Sequence, residues 1–83
     1  MKVKQFDVKN QLVITDDDGT EFFQSYDTII AKRELNGQVT LDRSWWDYSK
    51  TTGKYRNLFL GETKKETEAK IKSGEYKLDS LNS

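Results

Sequence analysis

The 83 residues contain no cysteine, no histidine and no proline. Without cysteine there is no disulfide to staple the fold and no thiolate to attack a substrate or bind a soft metal. Without histidine the Ser/His/Asp and Cys/His arrangements fall away, and with them almost every zinc site. Apolar residues are also scarce, at 34%, and charged residues match them at 34%. That composition is lean for a globular chain but short of the disordered extreme. A chain of this length makes one domain, residues 1–83, and buries only roughly 60% of its unfolded surface, so its core is marginal. The opening "MKVKQFDVKN" has no apolar run of signal-peptide length, and nothing later approaches the ~20 apolar residues of a membrane span. The expectation is a cytoplasmic protein without membrane contact.

Fourteen basic and fourteen acidic residues cancel, so no bulk field drives non-specific nucleic-acid binding. Their distribution is uneven. Asp16, Asp17, Asp18, Glu21 and Asp27 form an acidic segment without a base, whereas residues 43–56 hold Arg43, Lys50, Lys54 and Arg56 against Asp47 alone.

The first half, residues 1–43, reads as strands. "KVKQFDV", "QLVIT", "TEFFQSY", "TIIAKREL" and "QVTLD" are short runs rich in β-branched and aromatic residues, separated by turn signals. "KN" at 9–10 suits a tight hairpin, "DDDG" a turn with Gly19 at positive φ, and "NG" at 36–37 is the strongest hairpin signal. Leu12 with Ile14 and Val39 with Leu41 share faces, while Val13 and one of Phe22 and Phe23 point the other way.

After Tyr48 the period changes, and residues 44–83 read as a helical half with a C-terminal tail. Ser49, Thr51 or Thr52 can cap a helix in which Tyr55, Leu58 and Phe59 fall at helical spacing, so that Leu58 and Phe59 anchor it to the sheet; Gly61 closes it. "TKKE" at 63–66 is a capping box that opens a second helix, ended by Gly74 and carrying chiefly Ala69 and Ile71 as apolar residues. "EYKLDSL" offers a closing strand or a pinned tail. The expected fold is therefore α+β, a small antiparallel meander sheet of four or five strands followed by two short helices.

Two motifs fail on inspection. An EF-hand loop built on Gly19 would put Ile14 at its first position and Ser25 at its twelfth, where acidic ligands belong. A phosphate loop built on Gly53-Lys54 would put Tyr48 where a glycine belongs and Tyr55 where Ser or Thr belongs. A softer anion reading survives at the helix start, where Ser49, Thr51 and Thr52 stand beside Lys50, Lys54 and Arg56. Carboxylates abound, but nothing marks a shared, desolvated pair of the kind acid/base chemistry requires, so no catalytic residue, metal or cofactor is expected.

The adjacent tryptophans raise a separate question, because neighbouring side chains diverge in strand and helix alike. One of Trp45 and Trp46 is expected to fill the space between sheet and helix and the other to look outward. Together with Tyr48, Lys50, Thr51, Thr52, Lys54, Tyr55 and Arg56 they have the composition of a binding hot spot or a base-stacking platform. Packing of a small helix by large aromatics is the competing reading.

Residues 22–62, "FFQSYDTIIAKRELNGQVTLDRSWWDYSKTTGKYRNLFLGE", resemble a group of small proteins from bacteriophages and other bacterial mobile elements. The shared pattern is a "SYDTIIA"-like strand, then "VTLD", then a "WDYSKTTGKYRNLFLGE"-like segment; it brings no catalytic residue with it. The resemblance implies an accessory protein acting in the bacterial host cytoplasm. Small proteins of that setting often bind and disable a host protein, defence nucleases included. The leading expectation is accordingly a non-enzymatic interaction protein with a host protein as partner, an anti-defence inhibitor such as an anti-CRISPR being its sharpest form. A nucleic-acid or nucleotide binder using residues 43–57 and a structural or scaffolding subunit are the alternatives.

Overall fold

A computed structural model describes residues 1–82. Along the chain come β1 (Lys2–Gln5), β2 (Gln11–Thr15), β3 (Glu21–Ser25), β4 (Thr28–Arg33), β5 (Val39–Asp42), α1 (Lys50–Leu60), α2 (Lys64–Ser73) and β6 (Lys77–Asp79). The described residues form one six-stranded sheet in the order β1-β2-β3-β4-β5-β6, followed in sequence by the helices except for its last strand. The α+β meander is as expected. The count differs by β6, which pairs parallel to β5, and a parallel neighbour needs a long crossover, here supplied by both helices. Ser83, the last residue of the expected tail, lies outside the described residues.

Three of the four meander turns follow from local chemistry. Gly19 takes φ 89° after Asp16-Asp17-Asp18, and Gly37 takes φ 92° in the loop closed by Glu34 N–H to Gln38 O at 2.9 Å. A three-residue loop with glycine at its left-handed position is the second commonest hairpin solution. β1 is shorter than expected because the chain leaves the ladder after Gln5, and Asn10 turns it back at φ 71°. Between β3 and β4 the register slips at Phe23/Gln24, leaving Ile30 unpaired. Such a bulge re-aims side chains, and Ile30 and Ala31 both join the core.

Val13, Phe23, Ala31 and Leu41 pair across successive strands and so share the face beneath α1. From α1 the stripe Thr52, Tyr55, Arg56 and Phe59 is buried against them, an i, i+3, i+4, i+7 pattern. Phe59 stacks on Phe23 with ring centroids 5.9 Å apart, and Phe6 closes on Phe23 and Tyr55 at 6.0 and 5.3 Å. Leu58, expected to anchor the helix, is instead 57% exposed. The stripe can turn only one face to the sheet, and Leu58 falls outside it.

Charge closes the helix ends. Ser49 caps α1 by accepting the Thr52 N–H, and Gly61 ends it at φ 71°. With no base in its own last turn, α1 receives one from β4: Arg33 Nη1 donates to Phe59 O at 2.9 Å and its guanidinium lies 4.5 Å over the Phe59 ring. Such a cation complements the negative end of the helix dipole. The Thr63/Glu66 capping box opens α2 and Gly74 ends it, as read from the sequence. Of α2's expected apolar pair, Ile71 packs against the core while Ala69 stays exposed.

α2 is tied down through Glu62, whose side chain is only 4% exposed. Its carboxylate accepts Lys70 Nζ at 2.8 Å, Tyr76 OH at 2.8 Å and Thr67 Oγ1 at 2.6 Å. Burial alone would raise the Glu62 pKa, but the three donors together hold it below the ordinary value. Burial and the same carboxylate push the Tyr76 phenol up to about 12.

Candidate binding site

The turn after β5 is built on Asp42, 2% exposed. Its Oδ1 accepts the Ser44 and Trp45 amides at 2.9 and 3.0 Å, and its Oδ2 accepts Leu81 N–H and Asn82 Nδ2, both at 2.8 Å. Desolvation would raise its pKa; the donors from Leu81, Asn82, Ser44 and Trp45 outweigh that and lower it. Asn82 also accepts from Ile29 N and donates to Ile29 O, continuing the sheet beside the tail. A buried carboxylate with four donors holds the next residues in one geometry, and that geometry sends the tryptophans apart. Trp46 packs against the core with the Arg56 guanidinium 5.1 Å from its ring. Trp45 is 40% exposed and meets the ring of Tyr48, 61% exposed, edge-on at 5.0 Å.

The other expected binding residues divide. Lys50, Thr51 and Lys54 are exposed around the start of α1. Thr52 is buried, its hydroxyl 2.9 Å from Ser25 Oγ. Tyr55 is buried in its ring and donates its phenol to Asp7 at 2.9 Å, a hydrogen bond that raises its pKa. Arg56, expected as a surface cation, is 1% exposed; Nη1 donates to Trp46 O at 2.7 Å and to Asp47 at 3.2 Å, and Nη2 to Asn57 at 3.0 Å. A guanidinium with that many acceptors can be buried, which a charged letter in a sequence does not reveal.

The acidic segment does not gather into one patch. Asp16, Asp17 and Asp18 are exposed at the β2–β3 turn, and the Met1 amino group pairs with Asp17. Glu21 is spent on Arg33, which reaches its Oε1 through Nε at 3.1 Å and Nη2 at 2.9 Å. Asp27 is exposed at the β3–β4 turn, the opposite end of the sheet, since β3 runs between the two turns.

That opposite end is where exposed aromatics collect. Tyr26 is 52% exposed and holds φ 57°, a left-handed conformation uncommon for a bulky residue. Val8, 39% exposed, stands with it beside Thr51, Lys54 and Tyr55 around a cleft of about 380 Å³. "SYDT" is visible as a short join in the sequence, but nothing marks its tyrosine as the residue forced to positive φ. The inner wall holds Gln11, fully buried, whose carboxamide has no hydrogen-bond partner among the described residues. On the other side of α1 a second cleft, about 500 Å³, opens between Ser49, Lys50, Gly53, Lys54, Arg56, Asn57, Asp47 and Lys64. Lys64 Nζ bonds Asp47 at 2.7 Å, which raises the lysine pKa. The Asp47 carboxylate, which burial alone would raise, is lowered by Lys64 and Arg56. Among the described residues no three acidic side chains converge to hold a metal, and no helix is long and apolar enough to cross a membrane.

The chain belongs to a family of unknown function, DUF8033, which matches residues 1–75, from β1 to just past α2. No curated protein and no solved structure matches it.

Proposed function

We propose that this chain is a non-enzymatic interaction protein that docks a protein partner through the end of the sheet bearing Trp45, Tyr48 and Tyr26. One observation carries the reading: Trp45 and Tyr48 form a ring pair that contributes nothing to the core and stands exposed on a turn fixed by Asp42. Rigid exposed aromatics are what interface hot spots are made of, because they bury large area at little entropic cost. Val8 at the same end adds apolar surface, and Lys50 and Lys54 supply a charged rim. The resemblance to mobile-element proteins supplies the setting of this proposal: a phage or prophage accessory protein, a host bacterial protein as partner, and disabling of a defence nuclease as the sharpest form.

Lys50 and Lys54, exposed beside these rings, favour nucleic acid as a second reading. The first is preferred because Arg56 is buried and Lys64 is engaged by Asp47, so the basic face is broken.

Affinity capture from host lysate with the wild type and a Trp45→Ala/Tyr48→Ala variant, quantified by mass spectrometry, tests the proposal. One protein should be enriched by the wild type and lost with the variant. Equal capture by both would overturn it, as would saturable submicromolar binding of labelled oligonucleotides abolished by Lys50→Ala/Lys54→Ala.

A further inference from the structure

The two edges of the sheet are not alike. β6 ends it on one side with three residues, a length that offers a neighbouring chain little to pair with. β1 ends it on the other side with four, Lys2–Gln5, all exposed and in regular register with β2, with neither a bulge nor a proline to blunt the edge. Its free backbone groups can be assigned. In an antiparallel ladder alternate residues turn both N–H and C=O toward the same neighbour, and Phe6 donates its N–H to Gln11 O at 2.9 Å, in register with Lys4 opposite Val13 and Lys2 opposite Thr15. Phe6, Lys4 and Lys2 therefore bond inward, whereas Val3 and Gln5 point their N–H and C=O groups out of the sheet.

A groove adjoins this edge. About 220 Å³ in volume, it lies between β1 and α1, lined by Phe6, Val13, Leu58 and Phe59 together with Lys4 and the Glu21–Arg33 ion pair. Leu58 is 57% exposed, so α1 presents to the groove the large apolar side chain that its buried stripe leaves out. Lys4 stands opposite Val13 on the helix face of the sheet, and Lys2, two residues away, shares that face. No ion pair among the described residues engages either ammonium. Such lysines deter pairing between copies of this chain, because the antiparallel register that matches Val3 to the other copy's Gln5 would set Lys4 directly against its own counterpart. The same charges select a strand of the opposite sign.

We infer that β1 and this groove dock an extended, acidic segment of a partner protein, which adds to the six-stranded sheet as a further strand. Its backbone pairs with the outward groups of Val3 and Gln5. An apolar side chain on its helix-side face enters the groove against Leu58, and carboxylates flanking it on that face meet Lys2 and Lys4. Main-chain pairing then supplies affinity, and the groove and the lysines supply selectivity. β1 lies at the far side of the sheet from β5, which carries the Trp45 turn, so the inference goes beyond the docking proposal for the aromatic end and stands independently of it.

The probe is a blocked synthetic peptide, TEVLVET, whose leucine and flanking glutamates share one face of a strand. Titrated into the ¹⁵N-labelled protein, it should shift the Val3 and Gln5 amides saturably and slow their exchange with solvent, leaving exchange at the inward Lys2 and Lys4 amides unchanged. Val3→Pro removes an outward N–H without touching the ladder to β2, and should abolish binding with the rest of the spectrum intact. Lys2→Glu/Lys4→Glu should weaken the peptide by about tenfold or more, and Leu58→Ala by about fivefold or more. The inference is overturned if millimolar peptide gives no saturable shift, if the charge-reversed peptide TKVLVKT binds as well, or if the Val3→Pro or Leu58→Ala protein binds as the wild type does. None of these outcomes touches the aromatic-end proposal. A single-stranded oligonucleotide that shifts the same amides would overturn it too, since the edge would then read phosphate. Trp45→Ala/Tyr48→Ala should leave peptide binding unchanged; if it abolishes the shifts, the peptide has found the aromatic end and the inference about β1 fails.

Discussion

Phe59 and Leu58 are neighbours on α1 with opposite exposure, and truncating each to alanine measures how the helix is held. Phe59 is 6% exposed, stacks on Phe23 at 5.9 Å and lies under the Arg33 guanidinium at 4.5 Å. Removing a buried phenyl ring costs about 3–5 kcal/mol through lost transfer energy and the cavity left behind. A chain of this size has a total stability of roughly 4–12 kcal/mol. Phe59→Ala should therefore remove a large share of it, moving the urea midpoint by about 2 M or more at a slope near 1–1.5 kcal/mol/M. Leu58, at 57% exposure, should cost within about 0.5 kcal/mol. If Phe59→Ala leaves too little folded protein for a melt, Phe59→Leu keeps most of the volume and should still lose about 1 kcal/mol. Chemical denaturation followed by far-UV circular dichroism reads all three. Equal midpoints for Phe59→Ala and Leu58→Ala would refute the assignment of the buried stripe.

Trp46→Ala should cost roughly 2 kcal/mol or more and Trp45→Ala well under 1, in the same melts, because only Trp46 packs against the core. Gln11→Met should raise stability by about 1 kcal/mol or more, since it replaces an unpartnered buried amide with an apolar chain of similar length; a lower melting temperature would show that the amide is satisfied. Glu62 has its folded pKa lowered, so its contribution is complete above its unfolded value and lost as pH falls through the folded one. Thermal melts from neutral to acid pH should accordingly show the wild type losing stability below its ordinary value of 4.5, while Glu62→Gln begins less stable and declines less steeply over that range.

Local chemistry was legible in the sequence. The Gly61 cap, the Thr63/Glu66 box, Gly74 and the Asn36-Gly37 turn depend on residues a few positions apart and were found where read, and of the three N-cap candidates for α1 it is Ser49 that serves. The opposed directions of Trp45 and Trp46 follow from geometry alone. What failed depended on distant partners. Tyr55, Leu58 and Phe59 are compatible with two adjoining helix faces, and the choice is made by Thr52 meeting Ser25 and Arg56 meeting Trp46. Arg56 and Glu21 looked like solvent charges until their acceptors and donors came in from other elements. β6 is three residues long, too short to signal its neighbour.

The parallel β5–β6 pair also sets an order of events. Every other strand joins its predecessor through a short turn, so the first five can zip together as local hairpins in microseconds. β6 must return across both helices, and the Leu81 amide and the Asp42 carboxylate that meet there stand 39 positions apart. Closing a loop some three doublings longer than a hairpin turn costs roughly 2 kcal/mol more in chain entropy, charged before any contact repays it. The two halves of the Asp42 carboxylate therefore belong to different stages: Oδ1 can take the Ser44 and Trp45 amides as soon as the local turn forms, whereas Oδ2 waits for Leu81 and Asn82 to arrive across both helices.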